Sequence, residues 1–290
     1  MKTKRIFLGF ATMLVAFAVI FSACNKSGIN AGSSLQVYLT DGPTDLAAVS
    51  LDIAKVEAKV DNDEKHRDND RHGDSDDDKD DKDKKKDDFG EWVDLNVTPG
   101  VVNVLELRNG VEKLIAASSN IQGRVRKIRV TLGTNNSVTL ENGEVKTLSL
   151  QNATENMIYI KLNDEHRGRG NDNRTTAVRI DFDLGSSVVL LNGNYYLRPV
   201  VRPFCNENFG EVEGIVLPAE AKAVVRISDG AGFNAVALPF KDGKFKLRGL
   251  KEGTYTVTIE PLAPYLKETI SNVVVTKGKD TELGTITLKK

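Results

Sequence analysis

The chain has 290 residues, of which 40% are hydrophobic, and its formal net charge is −1. At roughly 150 residues per domain, this length predicts two globular domains. Two cysteines exclude a disulfide framework, and three histidines leave little material for zinc sites or histidine-based catalysis. Residues 61–88 hold 14 acidic and 8 basic residues, a net −6 that leaves only +5 elsewhere. No domain is therefore basic enough for the electrostatic footprint of nucleic-acid binding.

The N-terminal segment has the layout of a secretory signal. Lys2, Lys4 and Arg5 form a positive start, and an uncharged apolar run follows over residues 6–21. Such a run is shorter than a bilayer-spanning helix, and small or polar residues follow it at once. The pattern favours a removable signal peptide over residues 1–23, and a permanent N-terminal anchor helix is the alternative.

Phe21-Ser22-Ala23-Cys24 resembles the lipobox of bacterial lipoproteins, with Phe21 where Leu, Val or Ile is usual. The resemblance implies that Cys24 carries acyl groups such as palmitate and that the chain reaches the membrane through them. Several acyl chains on one cysteine anchor stably, because each buried CH₂ contributes about 0.8 kcal/mol. Asn25 is not the Asp of lipoproteins retained in the inner membrane. The resemblance therefore implies an outer-membrane lipoprotein that faces the periplasm or the cell surface.

Beyond a small polar tether over residues 24–33, apolar residues recur with a period of two, which is typical of half-buried β-strands. After Ile53 the alternation slips by one residue, which predicts a β-bulge within one long strand. One short helix is expected over residues 111–117, with Leu114 and Ile115 facing inward. The dipeptides that predict tight hairpin turns, because glycine tolerates positive φ, are Asn142-Gly143, Asn192-Gly193 and Asp242-Gly243. The strand-like runs are Leu35–Leu39, Val49–Val60, Val93–Val97, Ile128–Leu132 and Val178–Leu184.

These elements predict an all-β fold of two β-sandwich-like domains, the larger N-terminal one with a short helix. The domains are expected over residues 34–203 and 210–290, joined by a linker over residues 204–209. The boundary rests on the stretch Arg198–Pro203, whose prolines remove ladder donors and are expected to break the strand pattern. The second domain is long enough to bury about 60% of its unfolded surface, so it is expected to fold alone.

Two charged stretches lie between strand-like runs. Residues 61–88 contain no apolar side chain, so they cannot offset the entropy of ordering and are expected to be a disordered insertion. A milder charged loop spans residues 163–174. Loops of this length are tolerated because closure entropy grows only logarithmically with length.

Gly243-Lys-Phe245-Lys-Leu247-Arg-Gly249, continuing to Ile259, resembles the carboxypeptidase regulatory-like (prealbumin-like) domain, and Val212–Val216 matches the first strand of that family. The resemblance implies a seven-stranded β-sandwich, and by alternation Phe245 and Leu247 point into its core. No His follows His166, so this domain cannot supply the His-based zinc site of a peptidase.

The first domain contains segments that resemble DUF4382, a domain of unknown function found in bacterial envelope lipoproteins. Glu106 stands where that family often has Asp. Because the family has no assigned activity, the resemblance implies a fold but no particular activity. The segments are Leu39-Thr40-Asp41-Gly42-Pro43, Gly90–Leu95, Leu105–Gly110, Ile128–Gly133 and Leu197–Val200.

Trp92 and Tyr195 are the candidate ligand-binding residues. By alternation Trp92 shares a polar face with Asp94 and Asn96, where its ring can stack on a sugar; packing under a crossing loop is the alternative. Tyr195 and Tyr196 place one ring on each face of a strand, so at most one of them is exposed.

The charged tract supplies the candidate metal ligands. Carboxylate oxygens in this number suit a hard cation such as Ca²⁺. The regular Asp-x-Asp-x-Asp-Gly calcium loop is absent and neighbouring lysines neutralise much of the charge, so a solvated loop is the alternative. No resident cofactor is expected. The candidate ligands are Asp74, Asp76, Asp78 and Asp80.

Two isolated groups could also carry chemistry. Asp41 is a carboxylate base or the acceptor of an Asx-turn. Cys205 is a nucleophile or a half-buried bystander, and no His lies near it in sequence. No Gly-x-Ser-x-Gly, His-Glu-x-x-His, phosphate-loop or dinucleotide pattern occurs.

The sequence thus leads us to expect a non-enzymatic, acyl-anchored envelope lipoprotein that acts as a binding or structural module. Its expected partners are the membrane and either a glycan or another envelope protein, but not nucleic acid. A carbohydrate-binding surface lipoprotein is one alternative, because prealbumin-like sandwiches share a carbohydrate-binding-like fold. Weak Ca²⁺ binding through the Asp-rich tract is the other.

Overall fold

The structure is a computed structural model that describes residues 33–41, 46–61, 90–151, 155–166 and 175–290. Residues 31–290 form one compact unit. Cys24, the Asp-rich tract beyond Asp61 and the loop residues 167–174 lie outside the described residues, so the predictions made for them stay predictions.

The N-terminal part of the described chain folds into two β-sheets. Alternating apolar residues of these strands meet between the sheets in one hydrophobic core that runs from Leu35 to Leu197. The strands are β1 (Ser33–Asp41), β2 (Ala48–Asp61), β3 (Glu91–Asp94), β4 (Asn96–Val97), β5 (Gly100–Asn103), β6 (Lys113–Ile121), β7 (Arg124–Leu132), β8 (Ser137–Thr139), β9 (Val145–Leu150), β10 (Met157–Lys161), β11 (Thr175–Phe182), β12 (Val188–Leu191), β13 (Asn194–Leu197) and β14 (Val201–Phe204). A 3₁₀ turn covers Val104–Glu106, and a one-turn helix, α1, covers Leu184–Ser187.

The two sheets are joined by the chain crossing between them. One sheet has five strands in the order β14-β11-β1-β6-β4, and β1 runs parallel to β11. The other has nine strands along the path β10-β7-β2-β8-β9-β13-β12, with β3 and β5 also paired to β2. Because β3 pairs with β2 and β4 with β6, the chain passes from the second sheet to the first at Leu95, which is buried.

The predicted bulge in the long strand is confirmed. β2 spans Ala48–Asp61, and its pairing with β7 shifts register between Ile53 and Lys55. An extra residue at this point restores the inward direction of Val56, Ala58 and Val60 after the phase change.

One local prediction was wrong, and another was only partly right. The segment expected to be a helix over residues 111–117 lies largely in strand β6, where Ile115 is buried and Leu114 faces outward. Pairing of β6 with β1 on one side and β4 on the other overrides the weak helical pattern. The strand pattern breaks at residues 198–200 as predicted, but Val201–Phe204 is a strand, β14, because it lies at the edge of its sheet, where a missing donor is tolerated.

The C-terminal part of the described chain has its own hydrophobic core, from Val212 to Leu288. Its seven strands form a three-stranded sheet, β18-β15-β21, and a four-stranded sheet, β17-β16-β19-β20. Seven is the number implied by the prealbumin-like resemblance, and Phe245 and Leu247 are buried as expected. The strands are β15 (Gly210–Leu217), β16 (Val224–Ser228), β17 (Asn234–Ala237), β18 (Lys244–Leu250), β19 (Gly253–Glu260), β20 (Glu268–Val275) and β21 (Asp280–Thr287), with a 3₁₀ turn at Ala219–Ala221.

The predicted turns are present, but one of them is not a hairpin. Asn192-Gly193, with φ of 50° and 80°, joins the paired strands β12 and β13, and Asn142-Gly143 joins β8 and β9. Asp242-Gly243 forms a turn between β17 and β18, which belong to different sheets. The all-β class and the sandwich-like layering predicted from sequence are confirmed.

Candidate functional site

Trp92, the single tryptophan, lies on the outer face of the nine-stranded sheet. In the register of β3, β2, β7 and β10, the row Asp94–Glu57–Arg129–Tyr159 runs beside the row that starts at Trp92. The Arg129 guanidinium lies 4.1 Å from the centroid of the Trp92 ring, and the Tyr159 ring meets Trp92 edge-on at 6.1 Å. We call Trp92, Arg129 and Tyr159 the aromatic cluster.

A carboxylate holds the cation of the aromatic cluster in place. Arg129 donates two hydrogen bonds to Glu57, from Nε to Oε2 at 2.6 Å and from Nη2 to Oε1 at 2.7 Å. These bonds outweigh the cost of burial and, with a further bond from Lys55, lower the pKa of Glu57 to about 2. Glu57 is therefore ionised at neutral pH, and Arg129 is fixed as a flat cation against one side of the indole ring.

Of the aromatic cluster, only Trp92 was predicted from the sequence. Trp92 was predicted from its rarity and its alternation with Val93. Arg129 and Tyr159 were missed, although each alternates with buried neighbours such as Ile128 and Ile160 and so had to face outward. Their contacts with Trp92 depend on the register between strands, which cannot be deduced from the sequence alone.

Tyr195, the other candidate ligand-binding residue, does not belong to the aromatic cluster. It lies on β13 opposite Leu190 of β12 and Leu148 of β9, and its ring packs partly against the N-terminal core. It shares no described contact with the aromatic cluster. Its proposed binding role stays a prediction, as does that of Trp92.

Among the described residues no group of three His, Cys, Asp or Glu side chains is placed to hold a metal. The candidate ligands Asp74, Asp76, Asp78 and Asp80 lie outside the described residues, so the Ca²⁺ hypothesis stays a prediction. Asp41 ends β1 as a buried residue, and the residues after it that would complete an Asx-turn lie outside the described ranges.

Cys205 is fully buried rather than half-buried. Burial raises the pKa of its thiol to about 11, and the thiol donates a hydrogen bond to the Glu165 carbonyl at 3.3 Å. Since the thiolate is the nucleophile, these surroundings suit an inert structural cysteine.

The residues that connect the two cores form a continuous chain of ion pairs, which we call the ionic junction. Arg248 on β18 donates from Nη1 to Glu112 at 2.9 Å and from Nε to Glu211 at 2.8 Å. Glu112 also accepts from Arg179 at 2.7 Å, and Glu211 accepts from Lys246 at 3.0 Å. Glu112 and Arg179 come from the N-terminal sandwich and the other three residues from the C-terminal one.

The ionic junction is largely shielded from solvent. Side-chain exposure is 11% for Arg248, 10% for Glu211 and 23% for Glu112. Burial by itself raises the carboxyl pKa values, but the bonds from arginine and lysine outweigh it, so the pKa values of both Glu112 and Glu211 lie below their ordinary range. Both carboxylates are therefore ionised at neutral pH.

Further hydrogen bonds join the two sandwiches around the ionic junction. The Asn109 side-chain amide donates to the Leu238 carbonyl at 2.7 Å, and its oxygen accepts from the Lys246 backbone at 3.4 Å. Arg202 donates to the Asn234 carbonyl at 3.3 Å. Backbone and side chains of both sandwiches thus contribute hydrogen bonds around the ionic junction.

The described residues thus form two β-sandwiches that are connected through the ionic junction. The family described as "Domain of unknown function (DUF4382)" matches residues 32–199. The match covers more than half of the 290 residues, and the chain belongs to the DUF4382 family, as the sequence motifs predicted. No helix within the described ranges is long and apolar enough to cross a membrane.

Comparison with curated proteins gives no match. Among solved structures, the chain is similar to a type II cohesin-X-dockerin complex from Acetivibrio cellulolyticus, with 32% identity over 27% of this chain and 56% of that chain, and a TM-score of 0.23. The chain thus spans little more than half the length of that relative. It is also similar to GBS52, the minor pilin of Streptococcus agalactiae, with 12% identity over 88% of this chain and 95% of that one, and a TM-score of 0.23. The resemblance of residues 210–290 to the carboxypeptidase regulatory-like family stays a prediction.

Proposed function

We propose that the protein is a non-enzymatic envelope lipoprotein, held at the outer membrane by acyl groups on Cys24, whose two β-sandwiches act as one rigid binding or structural module. The observation that carries the proposal is the ionic junction. Its Arg248–Glu112 pair joins the two sandwiches and is largely shielded from solvent, at 11% and 23% side-chain exposure.

The chemistry of the ionic junction favours a positioning role. Its three cations, Arg179, Arg248 and Lys246, and its two carboxylates are all engaged with one another. Of these pairs, Arg248–Glu112 joins the two sandwiches. A charge-assisted hydrogen bond has directional geometry, so this pair favours one relative orientation of the two bodies. A module that displays its surfaces at a fixed orientation from a membrane anchor fits this arrangement.

The anchor is proposed from Phe21-Ser22-Ala23-Cys24, which resembles a lipobox. Its test is Cys24→Ala in the full chain, with metabolic labelling by palmitate and mass spectrometry of the mature N-terminus. We expect the variant to accumulate as an unlabelled precursor. Cys205→Ala is the matched control, because it removes the other cysteine and should leave labelling intact. Labelling of Cys24→Ala at the wild-type level would refute the anchor.

Carbohydrate binding is a second candidate, favoured by the aromatic cluster. Tyr159 is 52% exposed beside Trp92, and aromatic rings on the outer face of a sheet can stack on sugar rings. The test is a glycan array probed with wild type, Trp92→Ala and Tyr159→Ala, with Tyr265→Ala in the second sandwich as the control. Retention by wild type that both cluster variants lose and the control keeps would support the candidate. No retention by wild type, or equal retention by all four proteins, would remove it.

A further inference from the structure

The nine-stranded sheet ends at a short strand with an open edge. Within the described residues, β12 (Val188–Leu191) pairs with β13 and has no neighbour on its other side. Leu191 and Asn194 flank the two-residue turn Asn192-Gly193, so they form the hydrogen-bonded pair next to it. Alternation along the strand then directs the N–H and C=O groups of Leu190 away from β13, toward the open edge.

Apolar side chains accompany these backbone groups. Leu190 is 57% exposed and Leu191 is 43% exposed. Leu190 lies directly opposite Tyr195, whose ring packs against the N-terminal core, so Leu190 lies on the core-facing side of the sheet. The apolar face of the sheet therefore extends past the covered core at this edge.

The edge lacks the charges that usually keep strands apart. No charged residue occurs from Leu184 to Leu197. The edge strands β18, β20 and β21 carry Lys244, Glu268 and Asp280. The short edge strands β4 and β17 are uncharged too, but neither has a large exposed apolar side chain. Natural sheets place charges on exposed edges because a bare edge is a template for another strand.

We propose that β12 is a homodimer interface, at which the edge strands of two copies pair antiparallel about a two-fold axis centred on Leu190. A two-fold interface brings the same patch of both subunits together, so an edge that pairs with its own copy must not carry like charges. The uncharged run Leu184–Leu197 meets that condition. In this register Leu190 of each copy bonds Leu190 of the other through its free N–H and C=O, and Leu191 of each copy lies opposite Val189 of the other.

The first test measures self-association of the full chain in detergent. Sedimentation or light scattering over a concentration series gives the dissociation constant of wild type and of Leu190→Lys. We expect the variant to raise this constant by at least about tenfold, because it places two like charges opposite each other across the axis. Leu266→Lys is the matched control: Leu266 is equally exposed, at 58%, but lies in the second sandwich, and its substitution should leave association unchanged.

The second test uses a smaller change that keeps the strand intact. In a hydrogen-bonded antiparallel pair the facing Cα atoms lie about 5.5 Å apart, within the range that disulfides bridge. Leu190→Cys should therefore form a disulfide-linked dimer under mild oxidation, and Leu266→Cys should not. A wild-type chain that stays monomeric at all concentrations, a dimer that Leu190→Lys leaves intact, or equal cross-linking at both positions would overturn the proposal. So would a different protein occupying β12.

Discussion

Replacing Arg248 by Met should uncouple the two sandwiches. Arg248 makes two charge-assisted hydrogen bonds of 2.8 and 2.9 Å while its side chain is only 11% exposed. Each such bond contributes about 1.5 kcal/mol, so the two contribute about 3 kcal/mol to the stability of the protein. This agrees with the usual cost of removing one partner from a buried ion pair, about 3–5 kcal/mol. The bond to Glu112 is the one that joins the two sandwiches. Methionine keeps much of the volume, so the loss is one of charge rather than of packing.

The assay follows unfolding in urea with two probes on the full chain in detergent. Fluorescence of Trp92, the single tryptophan, reports only the N-terminal sandwich. Far-ultraviolet circular dichroism reports both sandwiches. In wild type the two transitions should coincide, because the ionic junction couples the bodies. In Arg248→Met they should separate, and the first midpoint should fall.

Arg226→Met is the matched control. Arg226 pairs with Glu260 at 2.8 Å, but its side chain is 53% exposed. Exposed pairs contribute about 0–1 kcal/mol, so this variant should resemble wild type. If Arg248→Met and Arg226→Met shift the midpoints equally, or if the two probes still coincide in Arg248→Met, the reasoning about the junction is refuted.

Three further results are expected. The pKa of Glu57 is lowered from 4.5 to about 2, so the contribution of its carboxylate to folding stability is complete above pH 4.5 and is lost as the pH falls toward 2. The difference in urea midpoint between wild type and Glu57→Gln should therefore shrink over that interval. A constant difference would contradict the assignment. Cys205 has a pKa near 11 instead of 9.0. Its reaction with a disulfide reagent at pH 8, mapped by mass spectrometry, should therefore be about 100-fold slower in the native protein than in urea. Equal rates would show that the thiol is accessible. Gly123→Ala should destabilise the folded protein more than Gly143→Ala does, by at least about 1 kcal/mol. Both glycines have positive φ, but only at Gly123 would a Cβ press on the backbone oxygen of Asp61. Equal urea midpoints for the two variants would contradict this.

Much of the fold follows from local sequence rules. The bulge after Ile53 is visible as a change of phase, because side chains on a strand alternate with a period of two. The turn at Asn192-Gly193 is visible because few residues adopt positive φ at both positions. Such features depend on neighbours in sequence, and the structure confirms both of them.

Features that depend on distant strands were not predictable. Residues 111–117 were expected to be helical with Leu114 and Ile115 facing inward, but pairing with β1 and β4 places most of them in strand β6. Pro203 looked like a breaker because its place at a sheet edge depends on the whole topology. Sequence alone gives neither the partner of a strand nor its position in a sheet.

The same limit applies to the functional sites. Trp92 stood out by composition, but its contact with Arg129 is set by the register of β2 with β3 and β7. The ionic junction was missed altogether, because Glu112 and Arg248 are 136 residues apart and each looks like an ordinary surface charge in sequence. Long-range ion pairs leave no local pattern.

The central claim is that the two sandwiches move as one body, and a distance measurement tests it most directly. Nitroxide labels at Val101→Cys and Val274→Cys, both exposed and on different sandwiches, allow double electron–electron resonance in the full chain, with unlabelled chain added to dilute distances between copies. Buried Cys205 should stay unlabelled. We predict one narrow distance distribution in wild type that broadens in Arg248→Met. A broad distribution in wild type would contradict a rigid module.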